Sequence, residues 1–317
     1  MALREPPLFA RLAASQRVLL AGAGGGFDVY AGLPLALALR AQGKQVFLAN
    51  LSFTPLAATN APALTPALRE VHASTAGADH YFPERSLARW LGAHGLPDTV
   101  YAFDKVGVQP LRRAYAWLVR ELALDAIVLV DGGTDLLMRG DEAGLGTPEE
   151  DMTSLAAVAG LDDVPTRLAV CLGFGIDAYH GVCHAHFLEN VAALAAEGAY
   201  LGAFSLPASS EEGAAFLDAV DAAQAETPAR PSIVNGQIAA AVRGAFGDVR
   251  FTARTAGNEL FVNPLMALYF GFDLEAVARR ALHLAGLEDT ETMFDVTARL
   301  EGFRRTVAIR PRRSIPH

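Results

Sequence analysis

The sequence predicts an α/β fold: a three-layer Rossmann-like sandwich with a mostly parallel sheet and a more helical C-terminal section from about residue 230. Three observations carry this. Residues 18–50 read as strand, helix and strand, a βαβ unit. Ala126–Val130 and Thr166–Leu172 are largely apolar throughout, as parallel strands covered on both faces are. Strand-like and helix-like segments alternate along the chain, with no internal repeat and no low-complexity linker. A single domain over residues 1–317 is expected.

Taken in order, residues 1–16 are expected to form a short lead-in helix. Val18–Ala21 is the first strand and breaks into Gly22, Gly24, Gly25 and Gly26. Leu33–Gln42 is a helix with Pro34 in its first turn and Gly43 as its stop. Gln45–Asn50 is the second strand. Residues 53–70, rich in Pro, Ala and Thr, read as a loop, either a surface excursion or an active-site flap. Ser86–His94 is a helix, Thr99–Phe103 a strand and Gln109–Leu124 a long amphipathic helix. The strand Ala126–Val130 leads into a Gly- and Asp-rich loop over 131–148, then a helix over Glu149–Ala159 and the strand Thr166–Leu172. Helices follow at His184–Gly198, Ser210–Gln224 and Ile233–Phe246, with a strand at Val249–Ala253. Pro264–Ala285 is read as mostly helical, stopped by Gly286, and Thr292–Thr306 as the last helix. The tail Arg310–His317 is expected to fray.

The bulk numbers narrow the function. A chain of 317 residues, 52% hydrophobic and 19% charged, can bury a large core. Its net charge of −9 and pI near 5.4 argue against general binding to nucleic acid or to membrane surfaces. No run approaches the ~18 apolar residues of a membrane span. Arginine carries nearly all positive charge; the two lysines are Lys44 and Lys105. Cys171 and Cys183 lack CxxC spacing and make neither a zinc knuckle nor a disulfide framework, so a reducing, cytoplasmic setting is expected. A small-molecule substrate is the expected partner, and a homo-oligomer is compatible with the sequence.

Three polar clusters follow strands, where open α/β sheets bind ligands. The first is the glycine loop, Gly22, Gly24, Gly25 and Gly26, with Asp28 and Tyr30. It reads as a cradle for a phosphate or nucleotide, or else as a tight turn needing positive φ. Its spacing departs from GxGxxG, and Asn50 stands where an acid would hold a ribose. Gly22-Ala-Gly24 followed by Ala31-Gly-Leu-Pro34 is similar to the sirtuin dinucleotide loop, but that family's Gln-Asn and His motifs have no match here. The second cluster, the densest acidic group in the chain, is Asp131-Gly-Gly-Thr-Asp135 with Arg139, Asp141 and Glu142, then Gly146-Thr-Pro-Glu149-Glu150-Asp151. Asp131, Asp135, Asp141 and Glu142 could hold a hard divalent ion such as Mg. Asp131 or Asp135 could instead act as a general base, with Arg139 as an anion clamp. A solvated acidic loop is the competing reading, and Glu149 and Glu150 read as helix caps. The third cluster is Asp177, His180, His184 and His186. Asp177, His180 and His184 could ligate Zn, His180 or His184 could transfer protons, or the histidines could cap a helix and fill the core. A fourth, weaker set, Arg254-Thr255 and Asn258 with Asn263-Pro264, could add an anion contact.

With these motifs assembled, the chain resembles the family catalogued as domain of unknown function 1152. The residues that carry the resemblance are Gly22–Asp28 with Gly32–Pro34, Leu48–Phe53, Asp131–Asp135 with Met138–Glu142, Gly146–Pro148 with Glu150-Asp151, and Leu188–Asn190. The resemblance implies one contiguous domain and brings no activity with it. The expected function is an enzyme acting on a small phosphate- or carboxylate-bearing metabolite by hydrolysis or nucleophilic displacement, aided by a divalent metal or Asp/His acid–base groups. The alternatives are a non-catalytic module binding a nucleotide or metabolite, and an NAD-binding enzyme.

Overall fold

The computed structural model describes residues 5–250, 252 and 260–315. In chain order the elements begin with α1 (Pro7–Arg11), β1 (Arg17–Gly22), α2 (Asp28–Ala41), β2 (Gln45–Leu51), β3 (Ala63–Thr65), β4 (Leu68–Val71), α3 (Pro83–Ala93), β5 (Val100–Phe103) and α4 (Val108–Glu121). β6 (Ala126–Asp131), α5 (Pro148–Ala159), β7 (Thr166–Leu172), α6 (His184–Ala196), β8 (Tyr200–Ser205), α7 (Glu211–Glu226) and α8 (Ile233–Val242) follow. β9 (Gly247–Asp248), β10 (Phe261–Val262), β11 (Leu268–Asp273), α9 (Leu274–Arg280) and α10 (Met293–Thr306) complete the order.

One nine-stranded sheet runs β3-β4-β5-β2-β1-β6-β7-β11-β8. Its five central strands, β5 to β7, are parallel. They are covered on both faces, so their side chains alternate between two apolar layers. Leu19, Ala21, Ile127 and Leu129 pack with α4, α5, α9 and α10. Val18, Leu20, Val128 and Val130 pack with α2, α3, α7 and α8. This is the expected three-layer sandwich. The chain moves outward from β1 to β2 and β5 on one side, then returns to β6 and β7 on the other. Direction therefore reverses between β1 and β6, which leaves a crevice at the carboxyl ends of those strands.

The sheet edges depart from expectation. Within residues 53–70 lie β3 and most of β4, which pairs antiparallel with β5, so this segment extends the sheet instead of forming a free loop. Leu268–Asp273, expected as helix, is the antiparallel strand between β7 and β8. Its Tyr269, Phe270 and Phe272 are residues that favour a pleated, buried surface. β8 itself pairs with β11. Helix α2 begins at Asp28, so Pro34 lies in its second turn, not its first. Helix α8 stops at Val242, before Gly244 at φ +85°. Residues 249 and 250 are not in a strand, and the rest of the expected strand at 249–253 lies largely outside the described residues. The tail is anchored at Arg310, whose N–H donates to the Asp141 carbonyl at 2.7 Å. Among the described residues no helix is long and apolar enough to cross a membrane.

Candidate functional site

The crevice between β1 and β6 has a volume of about 790 Å³. Carboxylates form its floor. Asp131 is the last residue of β6, Asp28 the first of α2, and Asp151 lies in the first turns of α5. Oxygens from these three lie within 4.8 Å of one another. Asp135 and Asp177 also line the crevice, as does His180, which is exposed. Two smaller hollows beside α4, of about 360 and 420 Å³, hold no such convergence.

Glycines make this crowding sterically feasible. A Cβ on Gly24 would lie 2.8 Å from Asp28 Oδ2 and 2.9 Å from Asp151 Oδ2. One on Gly132 would lie 2.9 Å from Asp28 Oδ1. One on Gly133 would lie 2.8 Å from Asp177 Oδ2 and 3.0 Å from Asp131 Oδ1. The two glycine runs thus let the carboxylates sit against the backbone, where a Cβ would force their oxygens to shift.

Backbone and hydroxyl donors hold most of the acids. The Gly24 N–H donates to Asp28 Oδ2 at 2.8 Å. The Leu136 N–H donates to Asp131 at 3.2 Å. Thr134 donates to Asp177 from N–H at 2.6 Å and from Oγ1 at 3.2 Å, and Thr147 does the same for Asp135 at 2.8 and 3.2 Å. Asp151 differs: it is 1% exposed, and its Oδ1 has no hydrogen-bond partner among the described residues. Burial, reinforced by the neighbouring carboxylates, pushes Asp28 up to about 8. The same causes hold Asp131, Asp151 and Asp177 well above the usual carboxylate range. Burial also raises Asp135, against the Thr147 hydrogen bonds and the nearby His180. Such a group accommodates protons or a cation, since several buried like charges cannot all ionise unaided.

Cationic groups stand around the crevice. Lys105 Nζ pairs with Glu150 at 2.5 Å and sits 4.7 Å from the Phe53 ring centroid. Arg230 lies on the wall that leads into α8. Behind the glycine loop, fully buried Asn50 donates from Nδ2 to the Gly26 carbonyl and to Glu84 Oε1, both at 2.7 Å. Burial lifts Glu84 to about 7. Gly22 lies within β1, where a Cβ would come 2.3 Å from Asn50 Oδ1; its bareness makes room for that asparagine.

Several residues expected at the site lie elsewhere. Asp141 and Glu142 do not join Asp131. Glu142 is fully buried, accepts from the Arg139 and Gly140 N–H groups and from Asn190, and pairs with Arg310 at 3.2 Å. Asp141 pairs with Arg310 at 3.0 Å and with Arg139 at 3.5 Å, so Arg139 serves this cluster and not the crevice. His184, at the start of α6, packs on Phe174 with ring centroids 5.1 Å apart, and its Nε2 is buried. It is therefore not brought together with Asp177 and His180 around one ion. Arg254, Thr255 and Asn258 lie outside the described residues. Lys105 and Arg230 are not among the expected site residues, and Asp151 belongs to the second acidic cluster without being singled out as a ligand. Asp151 follows Glu149 and Glu150 in the first turn of α5, where a run of acids suits the helix dipole, so nothing local separates it from them.

The chain belongs to the family described as "Protein of unknown function (DUF1152)", whose pattern matches residues 19–306. No curated protein and no solved structure matches it.

Proposed function

We propose that this crevice is the active site of an enzyme acting on a small phosphate- or carboxylate-bearing metabolite by hydrolysis or another nucleophilic displacement. Asp28, Asp131 and Asp151 hold a divalent metal ion there. The observation that carries the reading is the unpaired, buried Oδ1 of Asp151 beside two further carboxylates. An ionised oxygen in that setting lacks compensation unless a cation supplies it. The donors are all oxygen, which favours a hard ion such as Mg²⁺ over Zn²⁺. When bound, such an ion polarises a substrate oxygen or activates a water. Asp135, close to His180, supplies the acid–base group of the pair, and His180 is accessible to a ligand.

The test is thermal denaturation and calorimetric titration of the purified protein with Mg²⁺ and Mn²⁺. Saturating metal, at a hundred times its Kd, should stabilise the fold by about 2.7 kcal/mol. Asp151→Asn should fold yet lose this response. Absence of any binding by Mg²⁺, Mn²⁺ or Ca²⁺ to the wild-type protein would sink the proposal.

A further inference from the structure

The carboxylate floor explains a cation but leaves the opposite requirement open, because a crevice lined by five aspartates repels an anionic substrate. One wall carries the complementary chemistry. Residues 229–234 line the crevice as a continuous stretch, with Val234 against the glycine side: a Cβ on Gly132 would lie 3.3 Å from its Cγ1. Helix α8 starts in this wall and runs for 10 residues. Its N-cap Ser232 accepts from the Asn235 N–H through its side chain, and the Gly236 N–H donates to the Ser232 carbonyl. The first two amides, Ile233 and Val234, have no acceptor among the described residues, as expected of a helix N-terminus. Arg230 precedes them. Its guanidinium makes no ion pair among the described residues, whereas Arg139, Arg310 and Lys105 are each paired with carboxylates. The independent sign of a ligand in this crevice is Asp151, 1% exposed with its Oδ1 unpaired.

We infer that this wall is the anion half of the site. The substrate is a phosphate ester bound as its metal chelate, with Arg230 and the free amides of Ile233 and Val234 as protein ligands of the phosphoryl group. The inference rests on the metal reading proposed above. Helix N-termini and arginine both suit phosphate, the first through free N–H groups and dipole, the second through its paired donors. The metal is required on electrostatic grounds: without it the phosphate faces uncompensated carboxylates, and with it the ion bridges floor and ligand. Arg230 is exposed, so replacing it leaves the core untouched.

Titration calorimetry of the full chain with Mn²⁺ alone, inorganic phosphate alone, and phosphate added to the Mn²⁺-loaded protein tests this. Phosphate should bind to the loaded protein and not to the metal-free one. Arg230→Gln should weaken phosphate binding to the loaded protein by about tenfold or more, the effect of losing hydrogen bonds to a charged group, while leaving Mn²⁺ affinity unchanged. Arg230→Lys should recover part of the loss. If Mn²⁺ binds but phosphate binds equally well without it, or Arg230→Gln leaves phosphate binding unaltered, the inference is overturned and the metal reading stands. Tighter binding of malonate than of phosphate to the loaded protein would likewise overturn the phosphate class. Failure of Mn²⁺ to bind would remove the metal reading itself.

Discussion

Asp28 occupies the first position of α2, where the helix dipole and the N–H groups of Gly24 and Gly132 all favour a charged carboxylate. Burial and neighbouring acids outweigh them and raise the group to about 8. The sign of the resulting pH dependence is fixed. A carboxyl raised in the folded state binds a proton that the unfolded chain, with an ordinary value of 3.8, has already released. Stability of the metal-free protein is therefore greatest at low pH on this account and declines as pH rises from about 4 to about 8. Urea unfolding at pH 5 and pH 8 should show the decline, and saturating Mg²⁺ should reverse it at pH 8. Asp28→Asn keeps an acceptor for the Gly24 N–H while removing one charge. It should stabilise the metal-free protein at pH 8 and abolish the metal response. Asp28, Asp131 and Asp135 were legible in the sequence because glycines beside an acid after a strand mark close backbone approach. Asp151 belongs to the second acidic cluster but is not singled out there, because in sequence it continues the run of first-turn acids Glu149-Glu150. Asp141 and Glu142 looked like ligands because nothing local shows that Arg310, 168 residues beyond Glu142, returns to neutralise them.

At the scale of elements, the parallel centre of the sheet was readable and its antiparallel margins were not. β1, β6 and most of β7 are buried on both faces and appear as unbroken apolar runs. β3 and β4 are three and four residues long and half-buried, so their sequence is hard to tell from a polar loop. β11 passes directly into α9, with Asp273 both ending the strand and capping the helix through the Ala276 N–H, so no breaker separates the two. Phe272 lies fully buried in this strand, next to the Tyr200 ring. Phe272→Ala should destabilise the protein by about 3–5 kcal/mol, the usual cost of deleting a buried aromatic ring. Chemical denaturation checks this; a cost within about 0.5 kcal/mol, typical of surface changes, would mean that β11 is not a core strand.

At the scale of the whole molecule, two buried acidic clusters among the described residues are treated in opposite ways. Around Glu142 the fold brings its own cations: Arg310 reaches Asp141, Glu142 and Glu189, and Arg304 donates to the carbonyls of Gly140 and Glu142. Around Asp131 no arginine or lysine among the described residues pairs with Asp28, Asp131 or Asp151, and Lys105 is engaged by Glu150. Among the described residues arginines neutralise the first cluster and not the second, so the first is structural while the second is balanced by protons or by the cation proposed above. The two should therefore respond differently to substitution. Arg310→Gln strands a buried Glu142 and should cost about 3 kcal/mol, toward the low end for a broken buried pair because Arg310 is partly exposed. It should leave Mg²⁺ affinity unchanged. Asp131→Asn should do the reverse, raising metal-free stability at pH 8 by relieving repulsion while eliminating Mg²⁺ binding. Thermal melts of both variants with and without Mg²⁺ separate the cases. Loss of the metal response in Arg310→Gln, at a temperature where the variant is still folded, would mean that the Glu142 cluster belongs to the metal site after all.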